Sequence, residues 1–132
     1  MAKEAKHRLG EFNPQNLANT AWAFATVGQA DAALFAALAK EAKQCLREFN
    51  AQGLANTVWA FAKVGQLDAA LFAALAKEAK QCLGQFSAQK LANTAWAFAT
   101  VGLLDSTLFA ALAKEDKQRL GQFNAQELAN TA

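Results

Sequence analysis

Gln15 to Gly28 read QNLANTAWAFATVG, and the string returns as QGLANTVWAFAKVG at Gln52 to Gly65 and as QKLANTAWAFATVG at Gln89 to Gly102. The spacing is 37 residues each time, and it reaches beyond the string: Phe12, Phe49, Phe86 and Phe123 share it, as do Asn19, Asn56, Asn93 and Asn130. Counted from Pro14, residues 14–50, 51–87 and 88–124 are three full units. Residues 1–13 match the second helix of a partial unit before them, and residues 125–132 match the start of a further unit. The first and second units differ at 8 of 37 positions and the second and third at 9 of 37, without insertion or deletion, so the copies can be compared position by position. A fixed period of this length marks an array in which each unit buries its apolar face on its neighbours.

Each unit carries the punctuation of two helices. In the first, Asn13 is an N-cap, Pro14 sits where its missing N–H costs nothing, and Gly28 ends the pattern. Asn50, Ser87 and Asn124 repeat the cap, Glu127 completes a capping-box pattern after Asn124, and Gly65 and Gly102 repeat the stop. Asp31, Asp68 and Asp105 then cap a second helix at the end of the dipole that favours a carboxylate. That helix should run to about Leu46 in the first unit, with Gly10, Gly84 and Gly121 closing it elsewhere. Both connections are short, which makes the two helices antiparallel neighbours. The expected fold is all-α, an α-solenoid of stacked helical hairpins truncated at both ends.

At roughly 100° per residue, Leu17, Ala18, Ala21, Phe24 and Ala25 gather on one side of the leading helix, and Asn16, Asn19, Ala23 and Thr26 on the other. On the second helix Leu34, Phe35, Leu38, Ala42, Cys45 and Leu46 form the apolar side, while Lys40, Glu41, Lys43 and Gln44 face water. The alanines between them allow close backbone approach.

The charge is nearly balanced at +2, so bulk electrostatics does not drive the chain toward nucleic acid or anionic membrane. Polar residues interrupt every apolar run before the about 18 to 20 residues a spanning helix needs, so no membrane insertion is expected. Residues 1–13 keep the repeat register and lack the apolar centre of a secretory signal. Cys45 and Cys82 hold one slot in successive units. Stacked helices lie about 8 to 10 Å apart, beyond the roughly 4.4 to 6.8 Å between Cα atoms that a disulfide tolerates, so free thiols and a reducing compartment are expected. One His and two Cys cannot supply the four protein ligands of a structural zinc site. With no nucleophile, base and orienter set and no phosphate loop, the chain reads as a non-enzyme without metal or cofactor.

Comparison of the copies singles out candidate contact residues. One position of the leading helix reads Asn16, Gly53, Lys90 and Glu127, four residue types in four copies, and a later one reads Thr26, Lys63 and Thr100. Between them Asn19, Asn56, Asn93 and Asn130 are constant. A fixed amide beside a changeable side chain is the layout of a modular reader of an extended ligand. It is equally the pattern of a solvated face with an internal amide ladder. Trp22, Trp59 and Trp96 sit at the border of the apolar and polar arcs, placed to pack on the adjacent unit or to stack on bases.

The string Gln-x-Leu-Ala-Asn-Thr-x-Trp-Ala-Phe-Ala-x-Val-Gly, followed by Asp-x-x-Leu-Phe-x-Ala-Leu, resembles the heptatricopeptide and octotricopeptide repeats, which are helical hairpins associated with RAP-domain proteins. The resemblance implies single-stranded RNA bound along the concave side and a role in RNA processing, stability or translation in a plastid or mitochondrion. By the same resemblance the reading positions are Asn16, Gly53, Lys90 and Glu127, beside the constant asparagines. The residues leave a second function open, a protein-interaction scaffold or structural subunit of a larger complex that grips a partner helix or peptide with this face. The cut ends of the array also predict head-to-tail self-association.

Overall fold

The computed structural model describes residues 12–102 and 106–131, with side chains over 12–102 and 107–120. Its elements follow the punctuation: α1 (Pro14–Thr26), α2 (Ala32–Cys45), α3 (Ala51–Lys63), α4 (Ala69–Gln81), α5 (Ala88–Thr100) and α6 (Ser106–Thr131). Two 3-10 turns, Leu46–Glu48 and Leu83–Gln85, join α2 to α3 and α4 to α5. The protein is all-α, with no strand among the described residues. No helix there is long and apolar enough to cross a membrane.

Local chemistry sets the helix ends. Asn13 accepts a 2.7 Å hydrogen bond from the Asn16 amide, and the Asn16 side chain accepts one from Asn13 N, so two otherwise unpaired N–H groups are satisfied together. Asn50 accepts from Gly53 N and Ser87 from Lys90 N. At the far end Gln29 N donates to the Phe24 carbonyl and Gly28 N to that of Ala25, a pairing that Gln66 and Gly65 repeat on Phe61 and Ala62. This closure turns the chain into the left-handed region, at φ +75° for Gly28 and +71° for Gly65. Asp31 and Asp68 cap α2 and α4 through Leu34 N and Leu71 N, at 3.0 Å each.

The leading helices pack side by side, α3 between α1 and α5, and the second helices cover them. The core runs between the two layers. Phe35, Phe61, Phe72, Phe98 and the leucines around them are fully buried, each worth about 1.5 to 3 kcal/mol in apolar surface removed from water. Two edge-to-face pairs tie each second helix to the next leading helix: Phe35 on Phe61 at 5.0 Å and Phe72 on Phe98 at 5.8 Å.

Two expectations need correction. Gly84 does not close a second helix by a left-handed turn. The break falls at Cys45 and Cys82, with φ near −132° and −135°, and the same 3-10 turn forms whether Arg47 or Gly84 lies inside it. Burial of Leu46 and Phe49, and of Leu83 and Phe86, holds these bends. The third junction differs outright, because α6 runs unbroken through Gly121 and Asn124. There the described residues include no further helix to reward a bend, and local propensity carries the helix on at about 1 kcal/mol for the interior glycine. Phe24 packs against the core as its place on the apolar side implies, half-buried where Phe61 and Phe98 are closed off. The expected helix over residues 1–13 lies outside the described residues except for Phe12 and Asn13, and the Asp105 cap lies outside them. Glu127 and Asn130 fall where only the backbone of α6 is described.

Candidate partner-binding face

One stripe of each leading helix follows the i, i+4, i+7, i+11 spacing that keeps side chains on a common face. On α1 it is Gln15, Asn19, Trp22 and Thr26, all exposed. On α3 it is Gln52, Asn56, Trp59 and Lys63, and on α5 Gln89, Asn93, Trp96 and Thr100. Because the leading helices lie side by side, the stripes form a sheet of amides and indoles crossed by few charges. Trp22 and Trp96 are 44% and 46% exposed and Trp59 is half-buried, so packing alone does not account for the column. The glutamine column was missed as a candidate, although Gln15, Gln52 and Gln89 are constant in the repeated string.

The structure divides the candidates from the repeat comparison into groups. Asn16 is engaged in the α1 capping box. Gly53 is buried: a Cβ there would lie 3.2 Å from Asn50 Oδ1, 3.3 Å from the Phe49 ring and 3.7 Å from Ala18 Cβ. Lys90 crosses to the preceding helix and donates a 2.6 Å hydrogen bond to Asn56 Oδ1. The variable column thus serves a cap at Asn16 and helix junctions at Gly53 and Lys90, and it is Lys90 that meets the asparagine of the preceding unit rather than that of its own helix. Asn56 is 8% exposed beneath this contact, while Asn19 is exposed and Asn93 half-buried. Thr26 donates to the Trp22 carbonyl, and Lys63 and Thr100 are exposed.

The supposed polar side of the leading helix is therefore not a solvent face throughout. In α3 the positions Gly53, Asn56, Thr57 and Ala60 are buried together with Leu54, Ala55, Val58 and Phe61. α1 buries one share of these positions, Leu17, Ala18, Ala21 and Ala25, and α5 another, Leu91, Thr94, Ala97 and Phe98. A leading helix is covered on one flank by the helix before it and on the other by the helix after it. Thr57 and Thr94 fit inside because their hydroxyls donate to Gly53 O and Lys90 O at 2.7 Å.

Charge concentrates away from the stripes. Lys43 meets Asp68 at 3.2 Å between successive second helices, and Arg119 meets Glu115 while donating to the Leu83 and Gly84 carbonyls. The Asp68 carboxyl is held below its usual range, first by the Leu71 amide and then by Lys43. Burial pushes the thiols of Cys45 and Cys82 up, with Glu48 and Glu41 adding to the first and Glu78 to the second. Both are free thiols that stay protonated near neutral pH, which makes them weak nucleophiles. Among the described residues no three His, Cys, Asp or Glu side chains group to hold a metal ion. What the face can do chemically is hydrogen-bond through amides and pack or stack through indoles.

One family model, described as RESC6: RNA-editing substrate-binding complex 6 protein, matches residues 1–132. No curated protein matches the chain. The match overturns the heptatricopeptide and octotricopeptide assignment. A 37-residue period with an aromatic-alanine core meets the packing needs of any stacked helix pair, so it does not single out one family.

Proposed function

The chain belongs to the RNA-editing substrate-binding complex 6 protein family, and on that ground we propose that it is a non-enzymatic subunit of an RNA-editing substrate-binding complex, an α-solenoid that serves as a protein scaffold. The observation that carries this reading is the face of the leading helices. It sets three copies of Gln and Trp, with Asn19 and Asn93, on one layer, with Lys63 exposed and Lys90 committed to the nearly buried Asn56. Such a surface gains affinity from apolar contact and amide hydrogen bonds, as protein interfaces rich in aromatic residues do. The 37-residue units serve in this reading as the repeating modules of the scaffold. An organelle is its setting, the mitochondrion being compatible with an RNA-editing complex of this type.

The test is recovery of the assembled complex on a tagged chain carrying Trp22→Ala, Trp59→Ala and Trp96→Ala. The triple variant should keep its far-UV helical signal and lose its partners. Unchanged recovery would remove the face from the assembly.

A second reading, direct contact with single-stranded RNA, is favoured by the half-exposed indoles of Trp22 and Trp96 beside Asn19, Asn93 and Lys63, since aromatic–base stacking is worth about 1 to 3 kcal/mol per base. With Lys63 the one uncommitted lysine on the described stripes, binding should fall with salt at a logarithmic slope of only about −0.7. A much steeper slope in an RNA titration would point to phosphate contacts elsewhere on the chain.

A further inference from the structure

A cleft opens at each internal junction, where successive leading helices begin. The first, of about 230 Å³, lies between the starts of α1 and α3, and its lining includes Gln15, Glu48, Phe49, Asn50 and Gly53. The second, of about 320 Å³, lies between the starts of α3 and α5 and is lined by Gln52, Gln85, Phe86, Ser87 and Lys90. Each of these residues of the second stands 37 positions after its counterpart in the first, so the repeat builds one site twice. Constant in both are the buried rings of Phe49 and Phe86 and the exposed glutamines Gln15 and Gln52, which also begin the stripes of amides and indoles. The positions that vary set opposite charges. Among the described residues Glu48 is the one charged side chain lining the first cleft; it is exposed and has no ion-pair partner there, and its counterpart Gln85 is neutral. Lys90 is the one charged side chain lining the second, at the position where Gly53 leaves the first without a side chain. The Lys90 ammonium gives one N–H to Asn56 Oδ1 and keeps two donors.

Both clefts are at or below the lower end of the about 300 to 1,000 Å³ of small-molecule sites, so each has room for one side chain and not for a whole ligand. A ligand that enters both is a chain laid across the junctions. Neighbouring packed helices lie about 8 to 10 Å apart, and one turn of a polyproline II segment, three residues of about 3.1 Å each, advances about 9 Å and returns a side chain to the same face. A β-strand does not match this spacing, since residues on one of its faces recur about every 6.5 to 7 Å. We propose that the clefts hold a polyproline II segment of a partner protein, with an Arg or Lys received by Glu48 and an Asp or Glu three residues away received by Lys90. Charge selects protein over RNA as the occupant, because a phosphate backbone following both clefts would meet the Glu48 carboxylate in the first. Gln15 and Gln52 are placed to hydrogen-bond the backbone of the segment, which has no internal hydrogen bonds of its own. The proposal rests on the reading of this face as a protein-binding surface and names the chemistry of the segment it takes.

The test is a set of proton–nitrogen NMR titrations of the full 132-residue chain with three end-blocked peptides, carried to millimolar concentration. The peptides are Pro-Arg-Pro-Pro-Glu-Pro, its all-basic form with Arg at both charged positions, and its all-acidic form with Glu at both. The mixed-charge peptide should bind the wild-type chain most tightly and shift the Gly53 and Lys90 amides together. Glu48→Arg, at an exposed position, should weaken that peptide about fivefold and make the all-acidic peptide the tightest, a gain that misfolding cannot produce. Peptides that shift no amide, or that bind alike whatever their charge, would overturn the proposal. So would oligouridine that shifts the same amides more than any peptide and binds Glu48→Arg more tightly still, which is the behaviour of an RNA site. Recovery of the assembled complex separates the clefts from the scaffold reading. Partners lost by the tryptophan variant but retained by Glu48→Arg would overturn the clefts alone, and partners retained by both would remove the scaffold reading with them.

Discussion

Lys90 Nζ lies 2.6 Å from the Oδ1 of Asn56, a residue 34 positions earlier, and closes the seam between α5 and α3 over a nearly buried amide. The contact makes a residue that varies between units into part of a junction. Lys90→Met keeps most of the aliphatic stem and removes the ammonium, leaving Asn56 Oδ1 without its charged donor. The expected loss is about 1 to 2 kcal/mol. Urea denaturation should show a lower midpoint with an unchanged slope. No shift would mean that solvent replaces the donor at no cost.

The aromatic pairs predict a graded response to one substitution. Phe61→Ala and Phe98→Ala each remove a closed-off ring together with its edge-to-face partner contact, and each should cost about 3 to 5 kcal/mol. Phe24→Ala removes a half-buried ring, so it should cost less than half as much. Denaturation of the three variants side by side reads the order. Equal losses would contradict the burial difference between Phe24 and the two closed-off rings.

Gly65 sits at φ +71° with no atom within 4 Å of where a Cβ would stand, so a substitution there isolates backbone strain from packing. Gly65→Ala should lower stability by about 1 kcal/mol or slightly more, which for a chain of this size is a melting shift of about 3 to 5 °C. Gly84, also open but outside the left-handed region, serves as the control. Gly84→Ala should be neutral or stabilising, since it reduces the freedom of the unfolded chain without strain. If the two substitutions behave alike, the left-handed stop at Gly65 has no energetic weight.

The difference between these two glycines shows where the sequence was legible. Caps and left-handed stops depend on a few adjacent residues, so Asn13, Asp31, Gly28 and Gly65 could be assigned from spacing alone. The bend at Cys45 and Cys82 depends on burial of Leu46 with Phe49 and of Leu83 with Phe86 by other helices, and a glycine nearby gave a misleading local signal. The continuous α6 is the same lesson at the third junction: bend chemistry is present at Gly121 and Asn124, but the described residues offer no helix to bury the bend. The face of the leading helix was misjudged because periodicity assigns one apolar side to an isolated helix. α3 is enclosed on two flanks, and the residues of its own that are buried there are small enough to read as neutral, among them Gly53, Thr57 and Ala60. The junction of Lys90 with Asn56 spans two units and leaves no local trace. The family assignment failed for a related reason, since a 37-residue period records a stacking geometry that more than one family can share.

Asp68 offers a test of the second-helix layer through pH. Its folded-state pKa lies below the unfolded value because the Leu71 amide and Lys43 both favour the carboxylate. A depressed carboxyl stabilises the fold above its unfolded pKa of about 3.9, and that contribution is lost as pH falls through the folded value. Asp68→Asn keeps a capable N-cap and removes the charge. Wild-type stability should therefore fall more steeply than that of Asp68→Asn as pH drops below about 4, and the two should converge at the acid end. Salt should narrow their difference at neutral pH, since the ion pair is about one-third exposed on both sides. Parallel pH profiles for the two proteins would show that the carboxylate contributes through its cap geometry and not through its charge.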